Sequence, residues 1–168
     1  RFALHNDDKA HETTFDDHAW RVLDLPHDWA IEGDFYALNP SGANGGALPG
    51  GIGWYRKHLN LNDNDASSRY VLHFDGAYMN TSVYVNGQLV GMRPYGFISF
   101  SYDITPYLKK QGDNVVAVKV DNSKQPNSRW YTGCGIYRHV YLMKSSDIRI
   151  EEWGVQALTE VKKGKGKV

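Results

Sequence analysis

Apolar and polar residues alternate with period two along much of the chain, and turn residues interrupt the alternation at short intervals. In Thr81-Ser-Val-Tyr-Val-Asn86, Val83 and Val85 share one face while Ser82, Tyr84 and Asn86 share the other. Asn86-Gly87 follows at once, and both residues tolerate the positive φ of a tight hairpin turn, so Gln88 to Met92 reads as the return strand. Val115 to Val120 predicts another strand behind a turn signal at Asp113-Asn114. Val116, Val118 and Val120 would face the core and Lys119 water. Tyr70, Leu72 and Phe74 alternate against Val71 and His73. Further strands are expected at Trp20 to Leu25, Trp54 to Leu61, Phe97 to Tyr102 and Tyr137 to Met143. No stretch carries a long helical stripe; Asp103 to Leu108 supports one helical turn at most, with Asp103 as its cap. Many short strands and 17 glycines predict an all-β fold, a two-sheet sandwich or a barrel, and these strands supply the two apolar inner faces that a sandwich needs.

Two segments break this pattern. Ile31 to Gly53 holds seven glycines and two prolines and reads as a long surface loop, of the kind that often carries function. Val161-Lys-Lys-Gly-Lys-Gly-Lys-Val168 is charged and Gly-rich, and a solvated hairpin or frayed end accounts for it better than a nucleic-acid tail.

At 168 residues the chain is one ordinary domain with some chain to spare, and it can bury a core without disulfides or metals. Nineteen basic and nineteen acidic side chains give zero formal charge, which argues against nucleic acid or an anionic membrane as the dominant partner. No apolar run reaches membrane-span length. Arg1 to Ala10 lacks the apolar stretch of a secretion signal; without an initiating Met the chain is compatible with a processed form, so localisation stays open. The single cysteine, Cys134, excludes an intrachain disulfide and reads as a small residue in a Gly-rich turn rather than a nucleophile.

The acidic pairs Asp7-Asp8, Asp16-Asp17 and Asp63/Asp65 stand in polar, turn-like surroundings that suit solvated loops better than a tuned acid–base site. His5, Asp7, Asp8, His11 and Glu12 lack the ligand spacing of a metal site, and residues 1–18 are expected to form a flexible polar segment. No metal or cofactor is implied.

Three stretches together carry a family resemblance. The first is Leu25-Pro-His-Asp-Trp29 with Gly53-Trp-Tyr-Arg-Lys57. The second is Phe74-Asp-Gly76, Val83-Tyr-Val-Asn-Gly87, Val90-Gly91 and Asp103-Ile-Thr105. The third is Ser128-Arg-Trp-Tyr-Thr-Gly-Cys-Gly-Ile-Tyr-Arg-His-Val140. In this order, from about Trp20 to Met143, they resemble the N-terminal sugar-binding domain of glycoside hydrolase family 2, with its β-galactosidase-like branch favoured. The resemblance implies a jelly-roll-like β-sandwich related to galactose-binding domains. It also implies partners: carbohydrate through the parent enzyme, and an immunoglobulin-like domain and a catalytic (β/α)8 barrel of the same polypeptide. It leaves a homo-oligomer open. Residues 1–146 would be the sandwich, and 147–168 the linker and start of an incomplete immunoglobulin-like neighbour, with Asp147 to Gly154 as the linker and first strand.

Glycoside hydrolysis needs two carboxyl groups flanking the bond, about 5 Å apart for retention or wider for inversion. In the family both are glutamates on the barrel, and the acid/base follows an asparagine. This chain has five glutamates, no Asn-Glu dipeptide and no room for a barrel of about 250 residues. No catalytic residue is expected within it.

What the domain supplies instead is suggested by Asp121 to Tyr131. Asn122, Gln125, Asn127 and Ser128 can satisfy hydroxyls, Arg129 offers a fork of donors, and Trp130 or Tyr131 offers a ring face to sugar C–H groups. This loop either reaches towards the active-site mouth or braces the fold and its docking surface. Some β-galactosidases carry an acidic residue where Ser128 stands, and that contact does not carry over. Trp29, Trp54 and Tyr55 are expected as core or interface aromatics, and His27 and Asp28 as a buried turn. Arg56 and Arg138 are expected as ion-pair partners for such carboxylates. An independent carbohydrate-binding module and a purely structural sandwich are the competing readings.

Overall fold

A computed structural model describes residues 1–62 and 67–167; Asp63 and Asp65 lie outside the described residues. The strands are β1 (Phe2–Leu4), β2 (Gly51–Asn62), β3 (Arg69–Phe74), β4 (Thr81–Val85), β5 (Gln88–Arg93), β6 (Phe100–Asp103), β7 (Gln111–Asn122), β8 (Val140–Ser145), β9 (Glu160–Lys162) and β10 (Lys165–Lys167). Five of them form one sheet in the order β1-β2-β7-β4-β5, three form a second in the order β6-β3-β8, and β9-β10 is a separate hairpin. All the pairings are antiparallel.

The two sheets meet through the side chains that the alternation assigned to the core. Val83, Val85, Val116, Val118, Val120 and Tyr55 from the larger sheet pack with Tyr70, Leu72, Phe74 and Phe100 from the smaller one. Asn86 and Gly87 both have positive φ at the β4–β5 turn, which a two-residue hairpin requires. Asn86 also ties that turn to the rest of the fold. It donates to the Tyr107 carbonyl and to Asn114 Oδ1, both at 2.8 Å, and accepts from the amide of Val115.

Several expected elements shift. Trp20 to Leu25 is not a strand: Arg21 makes a single bridge to Phe2, and β1 is too short to offer a longer edge. The strand expected from Phe97 begins at Phe100, because only Phe100–Asp103 lies opposite β3. The one expected from Tyr137 begins at Val140, after the Tyr137 hydroxyl has donated to the carbonyl of Gly96 at 2.7 Å. The turn near Asp103 is a short 3-10 turn over Thr105–Tyr107, and Asp103 accepts from the Thr105 amide at 2.9 Å.

The larger departure is at the front of the chain. Residues 1–20 are not a free polar segment: after β1, residues 5–20 form a strap across the outer face of the five-stranded sheet. Ala10, Phe15 and Trp20 pack there on Trp54, Ala117, Ile52 and Tyr84. That explains why Val115 and Ala117, on the face opposite the main core, are buried too. Lys119 is not simply solvated: it bonds Asp8 at 2.7 Å over the ring of Trp54.

The Gly-rich loop, with 3-10 turns at Ala30–Glu32 and Ala43–Gly45, is braced internally. Asn39 donates to the Ala47 carbonyl and Ser41 to the Leu48 carbonyl, while Leu48 enters the core. Phe35, Tyr36 and Leu38 are exposed on it. Beyond Ser146 the described residues are nearly all exposed. Asp147 to Gly154 is not a strand, and β9 pairs with β10 alone.

Candidate functional site

The loop after β7 is built on Asn122, the buried last residue of that strand. Its amide donates to the Gly133 carbonyl at 3.2 Å and to Cys134 Sγ at 2.9 Å, and its Oδ1 accepts from Asn127 Nδ2 at 2.7 Å. Asn127 donates as well to the Lys124 carbonyl and accepts from the Tyr78 hydroxyl. Gln125 reaches the Asn122 carbonyl at 3.4 Å, and Ser128 Oγ accepts from the Trp130 amide at 3.3 Å. Four of the residues expected near sugar therefore form or approach the base of the loop. Asn122, Asn127 and Gln125 turn their polar groups inward.

The far end of the loop is fastened to Asp28. Its Oδ1 accepts from the amides of Ala30 at 3.0 Å and Cys134 at 2.9 Å, and its Oδ2 accepts from the Tyr131 hydroxyl. Burial, and then the neighbouring Asp28 carboxylate, push the Tyr131 phenol well above its ordinary pKa, so it remains the donor. Three donors hold the Asp28 carboxylate in place. Its role is to hold Leu25-to-Trp29 against Gly133-to-Ile136, two of the stretches that carried the resemblance. The backbone repeats that join: the His27 amide donates to the Ile136 carbonyl at 2.8 Å, and the Trp29 amide to the Cys134 carbonyl at 3.2 Å.

His27 is buried as expected. Its Nδ1 lies 2.8 Å from the Tyr55 hydroxyl and its Nε2 lies 2.7 Å from Arg21. Nε2 also lies 3.3 Å from Glu32 Oε1, so a donor and an acceptor both face it. The Tyr55 oxygen also accepts from the Ile136 amide, and its pKa is raised by burial. Gly135 sits against this group with φ of 110°; a Cβ there would lie 2.3 Å from the Tyr55 oxygen. Trp29 stacks on Phe2 in the core, whereas Trp54 faces the strap on the other side of the sheet. Burial pushes the Cys134 thiol up to about 12, which keeps it protonated and unreactive.

Two expected pairings are corrected. Arg56 does not reach the His27–Asp28 turn: its side chain lies on the strap side, where it bonds Asp17. Arg138 lies exposed over the ring of Tyr137. The reason is parity, since Tyr55 points into the sandwich and the next residue of the strand must point out of it. Asp17, expected in solvent, is only 4% exposed. The N-terminal His and Asp side chains diverge rather than converge. Asp7 accepts from the Lys9 amide, Asp8 pairs with Lys119, and the rings of His5 and His11 lie against Trp20 and Tyr84.

What points outward from this anchored base is Arg129, Trp130 and part of Tyr131. Trp130 is 62% exposed and Tyr131 41%. The cleft between this loop and the Gly-rich loop, lined by Ser41, Pro49, Gln125 and Trp130, holds about 10 Å³, room for a water molecule but not a sugar ring. The arrangement is a rigid ledge carrying an aromatic face and a guanidinium.

Comparison with known proteins shows the family to which this fold belongs. The family model described as glycosyl hydrolases family 2, sugar binding domain, matches residues 43–146. The chain belongs to this family. It is 58% identical, over 95% of its length, to a β-galactosidase from Bacteroides ovatus, of which that match covers 19%. A β-glucuronidase from Formosa agariphila is 30% identical over 89% of the chain and 17% of its own length. Among solved structures, a family 2 glycosyl hydrolase from Bacteroides cellulosilyticus superposes with a TM-score of 0.90 at 37% identity, over 95% of this chain and 21% of that one. A β-glycosidase from Bacteroides vulgatus gives 0.83 at 45% identity, over 86% and 19%. The family 2 sugar-binding domain thus spans about a fifth of the length of these relatives, and the jelly-roll-like sandwich expected from the sequence is the fold they share.

Proposed function

We propose that this domain is a non-catalytic part of a β-galactosidase-like glycoside hydrolase. Its ledge at Arg129, Trp130 and Tyr131 forms one wall of the substrate pocket at the mouth of a catalytic barrel. The observation that carries this reading is the contrast within one loop: its base is saturated with internal hydrogen bonds, while Arg129 and Trp130 are held outward without cover. Placing a large ring and a guanidinium in water on a rigid support suits a group that meets its ligand on assembly.

The carboxylates support assigning bond cleavage to another part of the enzyme. A general acid in such a reaction needs a raised pKa. Here the hydrogen bond from Arg21 holds Glu32 below its ordinary value. At Asp103 the bonds from Thr105 and Arg69 outweigh the opposing effect of burial. On the same reading, residues 147–167 are the lead into an immunoglobulin-like neighbour, which would cover Ile148, Ile150 and Trp153.

The test uses the full-length hydrolase. Trp130→Ala and Arg129→Ala should each lower kcat/KM for nitrophenyl β-galactoside about tenfold or more, with the melting temperature within about 2 °C of the parent. Lost stability with unchanged kcat/KM would assign the ledge to scaffolding. NMR titration of the 168-residue chain with millimolar galactose should leave the Trp130 indole signal unmoved; a saturable shift would mark an independent binding module.

A further inference from the structure

The segment that follows β8 returns to the outer face of the three-stranded sheet. Arg69, Val71 and His73 of β3 share that face, with Ser101 and Asp103 of β6 on one side and Tyr141 and Met143 of β8 on the other. Residues 146–154 form no strand, yet Glu152 Oε1 lies 2.8 Å from His73 Nδ1. At the other end of the face Arg69 is bonded by Asp103 and further attracted by Glu151 and Asp147. The side chain of Arg149, paired with Glu151 at 2.6 Å, is only 17% exposed. Ile148, Ile150 and Trp153 stand in solvent instead.

His73 is largely buried, and both its nitrogens face oxygen. Nε2 lies 3.1 Å from Asp75 Oδ1, while Nδ1 has Ser101 Oγ at 2.7 Å as well as Glu152. A protonated imidazole has one donor for each carboxylate, whereas a neutral one has a single donor. The two carboxylates are not held alike. Asp75 directly follows β3, and its amide donates to the His139 carbonyl at 3.0 Å; Glu152 sits on a segment outside both sheets. The Ser101 hydroxyl can donate or accept, so it is placed to serve Nδ1 when Glu152 does not. From β8, the ring of Tyr141 stands 6.3 Å from the imidazole, with His139 stacked on it in turn. Histidine is the side chain whose charge changes between about pH 5 and 8, and of these two His73 is the one bonded to the segment.

We propose that His73 is a proton-operated latch, which when protonated binds Glu152 and holds residues 146–154 on the smaller sheet, and when neutral accepts from the Ser101 hydroxyl and releases them. On release Nδ1 gives its proton to solvent, the Ser101 O–H turns to the bared lone pair, and the Nε2 proton stays on Asp75. Glu152 then meets no donor at the ring and carries its charge into water. The positions of Ile148, Ile150 and Trp153, and of the β9–β10 hairpin beyond them, follow the protonation of one side chain. The latch works whether or not the ledge at Trp130 meets sugar.

Carbon relaxation at Cα, which is blind to amide exchange with water, tests this in the 168-residue chain. The Cα order parameters of Glu152 and Trp153 should be about 0.8 at pH 5.5 and fall below about 0.6 at pH 8.5. Those of Val83 and Val118, in the core, should stay unchanged and show that the sandwich is intact. His73→Gln has no proton to lose in this range and should leave Glu152 and Trp153 below about 0.6 at both pH values. Glu152→Ala, which alters no residue of either sheet, should leave Trp153 equally mobile at both. Equal order parameters at the two pH values in the parent overturn the latch. So does a segment that stays ordered in His73→Gln, and so does a pH response that survives this substitution, since His139 or a carboxylate then drives it.

Discussion

Arg56 and Asp17 form a buried ion pair, with Arg56 Nε donating to Asp17 Oδ2 at 3.0 Å beneath the N-terminal strap. The same guanidinium donates to the carbonyls of Ala10, Glu12 and Phe15, so one side chain of β2 organises most of the strap's backbone. A buried guanidinium is tolerated when all its donors are used, and loss of its carboxylate leaves an uncompensated charge.

Asp17→Ala is therefore expected to lower unfolding free energy by about 3 to 5 kcal/mol at pH 7. Burial opposes the charge of Asp17, but Arg56 and then His58 outweigh it, and the folded carboxyl titrates below 3.8. A folded pKa under the unfolded one means stabilisation that is complete above about 3.8 and lost as pH falls through the folded value. Denaturant melts between pH 7 and pH 2 should show the difference between parent and variant shrinking on the acid side. A difference constant down to pH 2 would contradict the assignment.

Tyr131→Phe removes one of three donors to Asp28 and should destabilise by about 1 to 2 kcal/mol, the pair being partly exposed. Asp28→Ala should cost more, because the amides of Ala30 and Cys134 lose their acceptor as well. Urea unfolding of both variants orders the two effects, and a milder Asp28→Ala would refute the anchoring role.

Cys134 should resist Ellman's reagent in the native protein at pH 8, where a thiol pushed up to about 12 is almost wholly protonated. Its labelling rate should follow global unfolding as urea is added. Rapid labelling without denaturant would show that the Asn122–Cys134 contact opens independently.

Gly135→Ala drives a Cβ to within 2.3 Å of the Tyr55 oxygen and 2.9 Å of the His27 carbonyl, and should destabilise by more than about 3 kcal/mol. Gly87→Ala meets no atom closer than 3.9 Å, so only its backbone strain of about 1 to 2 kcal/mol should appear. Calorimetric melts of the two variants compare a steric clash with a conformational penalty at positive φ.

The strands that the sequence makes legible are those with one face in the core and their turn chemistry beside them. Val83, Val85 and Asn86-Gly87 contain all the information the hairpin needs, and Val116 to Val120 nearly so. The Asp17–Arg56 pair is not legible, because 39 residues separate its members and an aspartate beside another aspartate reads as solvated until something covers it. Trp20 to Leu25 has the composition of a strand but no edge to join, which no local pattern reveals. The candidate loop was legible in its residue types and not in their directions. Asn122 and Asn127 look like ligand-binding amides in sequence, yet they spend their hydrogen bonds on each other and on the surrounding loop, and only the register of β7 decides that Asn122 ends up inside.

The strap has a practical consequence for anyone moving this module between hydrolases. The family match begins at residue 43, downstream of Phe2, Asp17 and the His27–Trp29 turn. A transplant cut to those limits would bare the indole of Trp54, strip Arg56 of every acceptor named above and leave Gly133 to Ile136 without its docking partner. Chimeras joined upstream of Arg1 should be soluble, whereas those joined near residue 43 should aggregate.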